Sequence, residues 1–216
     1  MNLPTKITMS RIIAIVLMVL GLFVLYVIKL VNPSFTTILI GNSKINLVFL
    51  ILFAFFLIAS YTDHLDGHLA RKNNQVTSLG KFLDPVADKL LINSMVIFLA
   101  APAVFASYIP GAESVAHFSV WCAIILVARD IVVDALRFIA AEKGVVIAAN
   151  IFGKLKTVLE MVAICFVLLN GWPFNYFDYN WPVRISDIFV YLATLTSVIS
   201  GVIYVYQNRK VLKETK

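Results

Sequence analysis

The chain has 216 residues, of which 61% are hydrophobic and only 14% are charged. Soluble globular proteins are about 45–50% apolar and about 25% charged, so this composition excludes an ordinary soluble domain and indicates a lipid environment. The net charge is +6. Its basic residues stand at the ends of apolar runs and form no patch, which argues against a nucleic-acid partner.

Uncharged stretches, taken in chain order, predict six helices. The first three lie at 12–28, 45–62 and 90–112 and contain 17, 18 and 23 residues. The fourth begins near His117 and continues as a helical pattern through Arg137. The fifth extends from near Thr157 to near Asn170, and the sixth from Ile188 to Gln207. Because a span needs about 20 apolar residues, we expect an all-α integral membrane protein with six transmembrane helices in one domain, 1–216.

The distribution of Lys and Arg predicts the orientation. The N-terminus, the connections after the second and fourth helices, and the tail hold 14 of the 18 basic residues. The alternate connections hold three, which are Lys29, Lys44 and Arg184. Since cytoplasmic segments carry the excess of positive charge, we expect both termini to be cytoplasmic and the protein to be a multi-pass protein of the cell membrane. The two cysteines, Cys122 and Cys165, lie inside apolar runs and are expected to be core residues rather than a disulfide.

Four aspartates stand at the predicted cytoplasmic ends of helices two and three. Asp63 and Asp66 are three residues apart and Asp84 and Asp88 four apart, so each pair shares one helix face. Ionisable groups at membrane depth are costly, and four neighbouring carboxylates repel one another unless a cation lies among them. Oxygen-rich clusters suit hard divalent cations, and two such ions would leave positions for phosphate oxygens. The alternative is a set of solvated caps, in which Asp84 precedes Pro85 at a helix start.

This run resembles the signature of the CDP-alcohol phosphatidyltransferase family, D-x-x-D-G-x-x-A-R-x8-G-x-x-x-D-x-x-x-D. All eight fixed residues are present over the 26 residues of 63–88. The resemblance implies that Asp63, Asp66 and Asp84 hold two Mg²⁺ or Mn²⁺ ions. It also implies that Asp88 is the general base and touches the second metal, with the active site facing the cytoplasm. It further implies that CDP-diacylglycerol is the donor and that it contacts Gly67, Ala70, Arg71, Thr77 and Gly80.

The N-terminus is similar to a P-N-x-x-T-x-x-R segment with which members of this family often begin. Here it reads Pro4-Thr5-Lys-Ile-Thr8-Met-Ser-Arg11, with Thr5 in place of the asparagine. The resemblance implies that Thr5 and Thr8 also contact the donor. The alternative is an amphipathic start lying at the membrane interface.

Four basic residues in the second half are candidates for binding the acceptor: Arg129, Arg137, Lys154 and Lys156. A guanidinium within a transmembrane helix is usually paired with a buried anion, and a phosphate on the acceptor would supply one. The alternative is pairing of Arg129 with a carboxylate of the same helices, at Asp130, Asp134 or Glu160.

The sequence segments around Arg129, Arg137, Lys154 and Lys156 resemble those of one branch of this family. That branch uses sn-glycerol 3-phosphate as acceptor and yields phosphatidylglycerophosphate and CMP. Because the family is commonly dimeric, a homodimer is expected. Two alternatives stay open. One is the same chemistry with another acceptor, such as inositol phosphate or serine. The other is an ion-coupled transporter whose aspartates relay a cation or a proton.

Overall fold

The computed structural model describes residues 3–32, 39–40, 45–72, 78–101, 116–145, 151–174 and 184–209. For residues 3–4, 39–40, 64–72, 78–79 and 81 it describes the backbone alone. The chain divides into two compact units, Met1–Val115 and Ala116–Lys216. The prediction of one domain over 1–216 is not tested by this division and stays a prediction.

The first unit contains three helices: α1 (Leu3–Val31), α2 (Leu47–Lys72) and α3 (Ser78–Ala100). One face of α1 packs on α2 and α3. The buried residues of that face recur every three to seven positions, at Thr5, Thr8, Arg11, Ile15 and Leu22. The large apolar side chains between them are exposed, among them Leu17 and Leu20. The N-terminal part of the helix therefore buries Thr5, Thr8 and Arg11, while most of its large apolar side chains face outward.

Two short strands precede α2: β1 (Leu39–Ile40) and β2 (Ile45–Asn46). They pair antiparallel, with Leu39 opposite Asn46 and Ile40 opposite Ile45. The expectation of an all-α fold missed this hairpin because two residues are too few to show a strand period. The side-chain oxygen of Asn46 accepts a hydrogen bond from the backbone N–H of Val48 at 2.8 Å. This bond satisfies a free amide in the first turn of α2 and explains where that helix begins.

The second unit contains α4 (Val120–Glu142), α5 (Ile151–Leu168) and α6 (Ile185–Gln207). Helix α6 packs on both α4 and α5. Its buried face carries mostly small or hydroxyl side chains at helical spacing: Ser186, Val190, Ala193, Thr194, Ser197, Ser200 and Tyr204. Small residues allow helix backbones to approach closely, which is typical of helix packing in membranes.

Helix α4 ends in a left-handed turn at Gly144, whose φ is 70°. The N–H of Gly144 bonds to the carbonyl of Ala141 at 3.0 Å, and that of Val145 bonds to Ala140 at 2.8 Å. This is a Schellman motif, which satisfies the last carbonyls of the helix and favours glycine at the left-handed position. The connection that follows α4 therefore begins at a well-defined helix end.

The described part of the chain contains six helices, as predicted. Two of them contain segments long and apolar enough to cross a membrane, Thr5–Val31 and Ile185–Gln207. Six spans and cytoplasmic termini stay predictions. Both cysteines are free. Cys122 is a buried core residue, as predicted, whereas Cys165 is only half-buried.

Several helix boundaries differ from those predicted; for example, the first helix begins at Leu3 and the fifth at Ile151, both earlier than expected. Helix α3 ends at Ala100, although the uncharged run continues to 112, because apolar composition alone does not mark where a helix stops. Helix α3 also begins at Ser78, so Asp84 lies well inside it, with Pro85 within the helix. The interpretation of Asp84 as an N-cap is therefore wrong.

Candidate functional site

The first turns of α1 contact two of the four signature aspartates. Thr8 Oγ1 donates a hydrogen bond to Asp84 Oδ1 on α3 at 2.9 Å. Arg11 Nη1 forms an ion pair with Asp63 Oδ1 on α2. Thr8 and Arg11 are 1% and 5% exposed, so both contacts are made by buried side chains. The N-terminal segment thus joins the two aspartate-bearing helices.

Arg11, the last residue of the N-terminal pattern, contacts the site although the sequence did not predict a role for it. Its Nε and Nη2 atoms are buried and have no hydrogen-bond partner among the described residues. The signal that would have found it is its spacing, because Thr5, Thr8 and Arg11 follow one another every three residues along one face of a helix.

The remaining signature residues lie on the same two helices. Asp88 follows Asp84 by one turn of α3 and is half-buried, as is Gly80. The backbone places Asp66, Gly67, Ala70 and Arg71 on α2; their side chains, and all of Thr77, lie outside the described residues.

The donor set of this site suits a hard divalent cation. Its ligands would be carboxylate oxygens alone, which Mg²⁺ and Mn²⁺ prefer over the nitrogen and sulfur ligands of zinc. The Asp63 side chain is 39% exposed and is therefore accessible to an ion. Among the described residues, no three His, Cys, Asp or Glu side chains form a group that could hold a metal; the Asp66 side chain is outside that set.

A cluster of buried charges links α4 and α5 in the second unit. Lys156 Nζ lies 2.9 Å from both carboxylate oxygens of Asp130 and 2.6 Å from Glu160 Oε2. Lys156 is 2% exposed and Glu160 is fully buried. The ammonium group donates hydrogen bonds to both Asp130 oxygens, and its contact with Glu160 is an ion pair. Lys156 is therefore held by the protein itself.

Arg129 joins the same cluster from α4. Its Nη1 lies 3.1 Å from Asp130 Oδ1, and its Nη2 donates to Ser200 Oγ on α6. The structure thus shows pairing of Arg129 with Asp130, one of the alternatives that the sequence left open. Contact with an acceptor phosphate is not tested and stays a prediction. The two cations and two carboxylates of the cluster, Arg129, Asp130, Lys156 and Glu160, sum to zero charge.

The two other candidate cations lie apart from this cluster. Arg137 lies two turns beyond Arg129 on α4, about 12 Å along the helix axis. Its Nε donates to the hydroxyl of Tyr204 at 2.9 Å, and the guanidinium carbon is 5.4 Å from the centre of the same ring. Lys154 is exposed on α5. Within the described ranges, neither Arg137 nor Lys154 has an ion pair with a carboxylate.

The comparisons with known proteins agree with the signature. The family model for CDP-alcohol phosphatidyltransferase matches residues 1–199. The chain belongs to the CDP-alcohol phosphatidyltransferase family. Three similar proteins, each named CDP-diacylglycerol–glycerol-3-phosphate 3-phosphatidyltransferase, come from Bacillus subtilis, Mycoplasma pneumoniae and Haemophilus influenzae.

These relatives align over nearly the whole chain. The Bacillus subtilis protein is 34% identical over 217 residues, which cover 98% of this chain and 97% of the relative. The Mycoplasma pneumoniae protein is 37% identical over 221 residues, covering 98% and 89%. The Haemophilus influenzae protein is 32% identical over 206 residues, covering 94% and 91%. The aligned regions therefore extend over both units of the chain.

Proposed function

We propose that this protein transfers the phosphatidyl group of CDP-diacylglycerol to sn-glycerol 3-phosphate, giving phosphatidylglycerophosphate and CMP in phospholipid biosynthesis. The observation that carries the proposal is the match over nearly the whole chain to relatives named for this reaction. The complete aspartate signature supports it, because that signature defines the transferase chemistry while leaving the acceptor open.

The first unit supplies the donor site. Asp63, Asp66 and Asp84 would hold two Mg²⁺ or Mn²⁺ ions, with Asp88 touching the second. When bound, these ions would neutralise the carboxylates, polarise the lipid-side phosphoryl group and stabilise charge on departing CMP. The nucleotide and diphosphate would be bound by Thr5, Thr8, Gly67, Ala70, Arg71, Thr77 and Gly80.

Two contacts of α1 support the assignment of the donor site to the first unit. Thr8 fixes one oxygen of Asp84 at 2.9 Å, which orients that carboxylate before a substrate arrives. Arg11 pairs with Asp63 and partly compensates its charge. Both contacts hold ligand side chains in place, and a preorganised ligand set binds more tightly than one that must be ordered on binding.

Asp88 would act as the general base. Its carboxylate takes the proton of the glycerol 1-hydroxyl as that oxygen attacks the lipid-side phosphorus. The new bond joins phosphorus to the glycerol oxygen. The bond from phosphorus to the CMP oxygen breaks, and CMP leaves with the electron pair. Asp88 then releases its proton to solvent, so charge and atoms balance over the cycle.

The second unit would bind the phosphate of the acceptor through Arg129, Arg137, Lys154 and Lys156. Their contacts indicate that these four residues contribute unequally to binding the phosphate. Lys156 is paired with two carboxylates, Asp130 and Glu160, whereas Arg137 and Lys154 have no carboxylate partner in the part of the chain that is described. Arg129 makes two contacts with protein and, as a five-donor group, retains further N–H groups for a ligand.

The proposal includes a membrane setting and an assembly. We place all six helices across the cell membrane with both termini and the active site on the cytoplasmic side, since 14 of the 18 basic residues fall on that side. Outward-facing apolar residues on α1 and α6 support contact with a lipid bilayer. We expect a homodimer, as in other members of the family.

An acceptor panel tests this function. Purified protein is supplied with CDP-diacylglycerol, Mg²⁺ and, in turn, glycerol 3-phosphate, inositol phosphate, serine or buffer, and CMP release is measured. We expect release with glycerol 3-phosphate alone. Release with another acceptor would keep the chemistry and replace the substrate. No CMP with any alcohol would contradict the transferase assignment and favour the transporter alternative.

A further inference from the structure

The guanidinium of Arg129 is held from two sides, and one of those sides is α6. Nη1 bonds to Asp130, its neighbour on α4, and Nη2 bonds to Ser200 on α6. Ser200 is fully buried, so water does not compete for its hydroxyl. Two contacts at different nitrogens fix both the position and the plane of a guanidinium.

The next residue on α6 makes room for the same side chain. A Cβ added at Gly201 would lie 3.0 Å from Arg129 Cγ, which is closer than a comfortable carbon–carbon contact. A Cβ at Gly153 on α5 would lie 3.7 Å from Arg129 Nη2 and from Ser200 Oγ, an ordinary contact distance. Gly201 is therefore the position at which an added methyl group would displace Arg129.

We propose that Ser200 and Gly201 are positioning residues for the acceptor: they set the Arg129 guanidinium in the orientation in which it binds the acceptor phosphate. This inference rests on the proposed function, since it assumes that Arg129 meets that phosphate. Neither residue belongs to a signature motif or carries charge. The cluster's neutrality fits the same role, because Asp130 can hold Arg129 while Lys156 and Glu160 balance the cluster's charges.

The chain offers matched controls for both residues. Ser197 lies one turn before Ser200 on the same face of α6, is fully buried, and its hydroxyl has no partner among the described residues. Ser197→Ala thus repeats the chemical change of Ser200→Ala without touching Arg129. Gly153→Ala repeats the change of Gly201→Ala at a site with normal clearance.

The experiment measures both substrate KM values and kcat for Ser200→Ala, Gly201→Ala, the two controls and Arg129→Ala, with gel filtration confirming folded protein. We expect Arg129→Ala to raise the acceptor KM by about ten- to a hundredfold, the loss of one charged hydrogen bond. Ser200→Ala and Gly201→Ala should raise it by about tenfold or less, because Arg129 remains but is displaced. The donor KM and kcat should not change, and both controls should match the parent protein.

The outcomes separate this inference from the proposed function. A raised acceptor KM in Arg129→Ala with no change in Ser200→Ala and Gly201→Ala would overturn the inference and leave the function intact. Equal rises in both KM values, or the same loss in Ser197→Ala, would show a packing role and also overturn it. An unchanged acceptor KM in Arg129→Ala would remove Arg129, and with it this role for α6, from an otherwise active enzyme.

Discussion

The ammonium nitrogen of Lys156 lies 2.9 Å from each carboxylate oxygen of Asp130. A lysine of α5 thus forms a bidentate ion pair with an aspartate of α4. Glu160, one turn further along α5, contacts the same nitrogen at 2.6 Å. All three side chains are buried. Loss of one partner of a buried ion pair leaves the other charge uncompensated, so the second unit is sensitive to any change that unbalances this cluster.

Removing Lys156 alone should destabilise the protein strongly. Lys156→Met leaves two buried carboxylates facing one arginine, and loss of one partner of a buried pair costs about 3–5 kcal/mol. The double variant Lys156→Met with Glu160→Gln restores neutrality and should recover much of that stability. Thermal unfolding in detergent measures both, with the exposed Lys154→Met as control. A single variant as stable as the parent would contradict the importance of the balance.

Chelation should abolish activity reversibly. EDTA is expected to stop CMP release and added Mg²⁺ or Mn²⁺ to restore it, because the carboxylates repel one another and the donor diphosphate without a cation. Asp63→Asn, Asp66→Asn and Asp84→Asn should each raise the metal concentration needed for half-maximal activity. Full turnover in EDTA would show that the aspartates act without a metal.

Asp88→Asn should separate catalysis from binding. An amide cannot accept the proton of the acceptor hydroxyl, and loss of a general base typically lowers the rate by about 10²–10⁴-fold. The variant should still bind CDP-diacylglycerol, as measured by equilibrium titration at saturating metal. Asp88 would be excluded as the base by a variant that turns over at the parental rate under those conditions.

Thr8→Val should weaken metal-dependent activity without unfolding the protein. The substitution keeps the shape of the side chain but removes the hydroxyl that bonds to Asp84, and a hydrogen bond to a charged group contributes about 1.5–3 kcal/mol. The Mg²⁺ concentration for half-maximal activity is therefore expected to rise by about ten- to a hundredfold. Thr8→Ser, which keeps the hydroxyl, is the control. Equal behaviour of the two variants would leave the contact without a functional role.

Arg137→Gln and Lys154→Gln should affect the acceptor more than the donor. Each removes a cation that has no carboxylate partner in the described structure, and a charged hydrogen bond to phosphate contributes about 1.5–3 kcal/mol. The acceptor KM should rise by about ten- to a hundredfold, and more salt should weaken acceptor binding in the parent protein. A rise confined to the CDP-diacylglycerol KM would place these cations at the donor site instead.

The sequence predicted the helices and the signature well because both depend on local spacing. Asp63 and Asp66 fall on α2 and Asp84 and Asp88 on α3, as the three- and four-residue intervals indicated. The end of α3 was missed, because an apolar run shows where a helix can continue and not where it stops.

Contacts between distant residues were beyond a single sequence. Arg11 pairs with Asp63 across about fifty residues of chain, and no periodicity reports such a pair. Arg129 is a buried charge with three carboxylates within reach along the sequence, and the structure shows that it pairs with Asp130. Ser200 and Gly201 gave no signal, because a small residue in an apolar helix is ordinary until its neighbour is known.

The inverted burial of α1 has a practical consequence for protein engineering. In a water-soluble helix the outward face is polar, and surface redesign alters it freely. Here the outward face is apolar, at positions such as Leu17 and Leu20, while Thr8 and Arg11 are enclosed. A detergent-free version of this protein would therefore be made by replacing outward leucines, isoleucines and valines with charged residues. Every hydroxyl and guanidinium on the opposite side would have to remain.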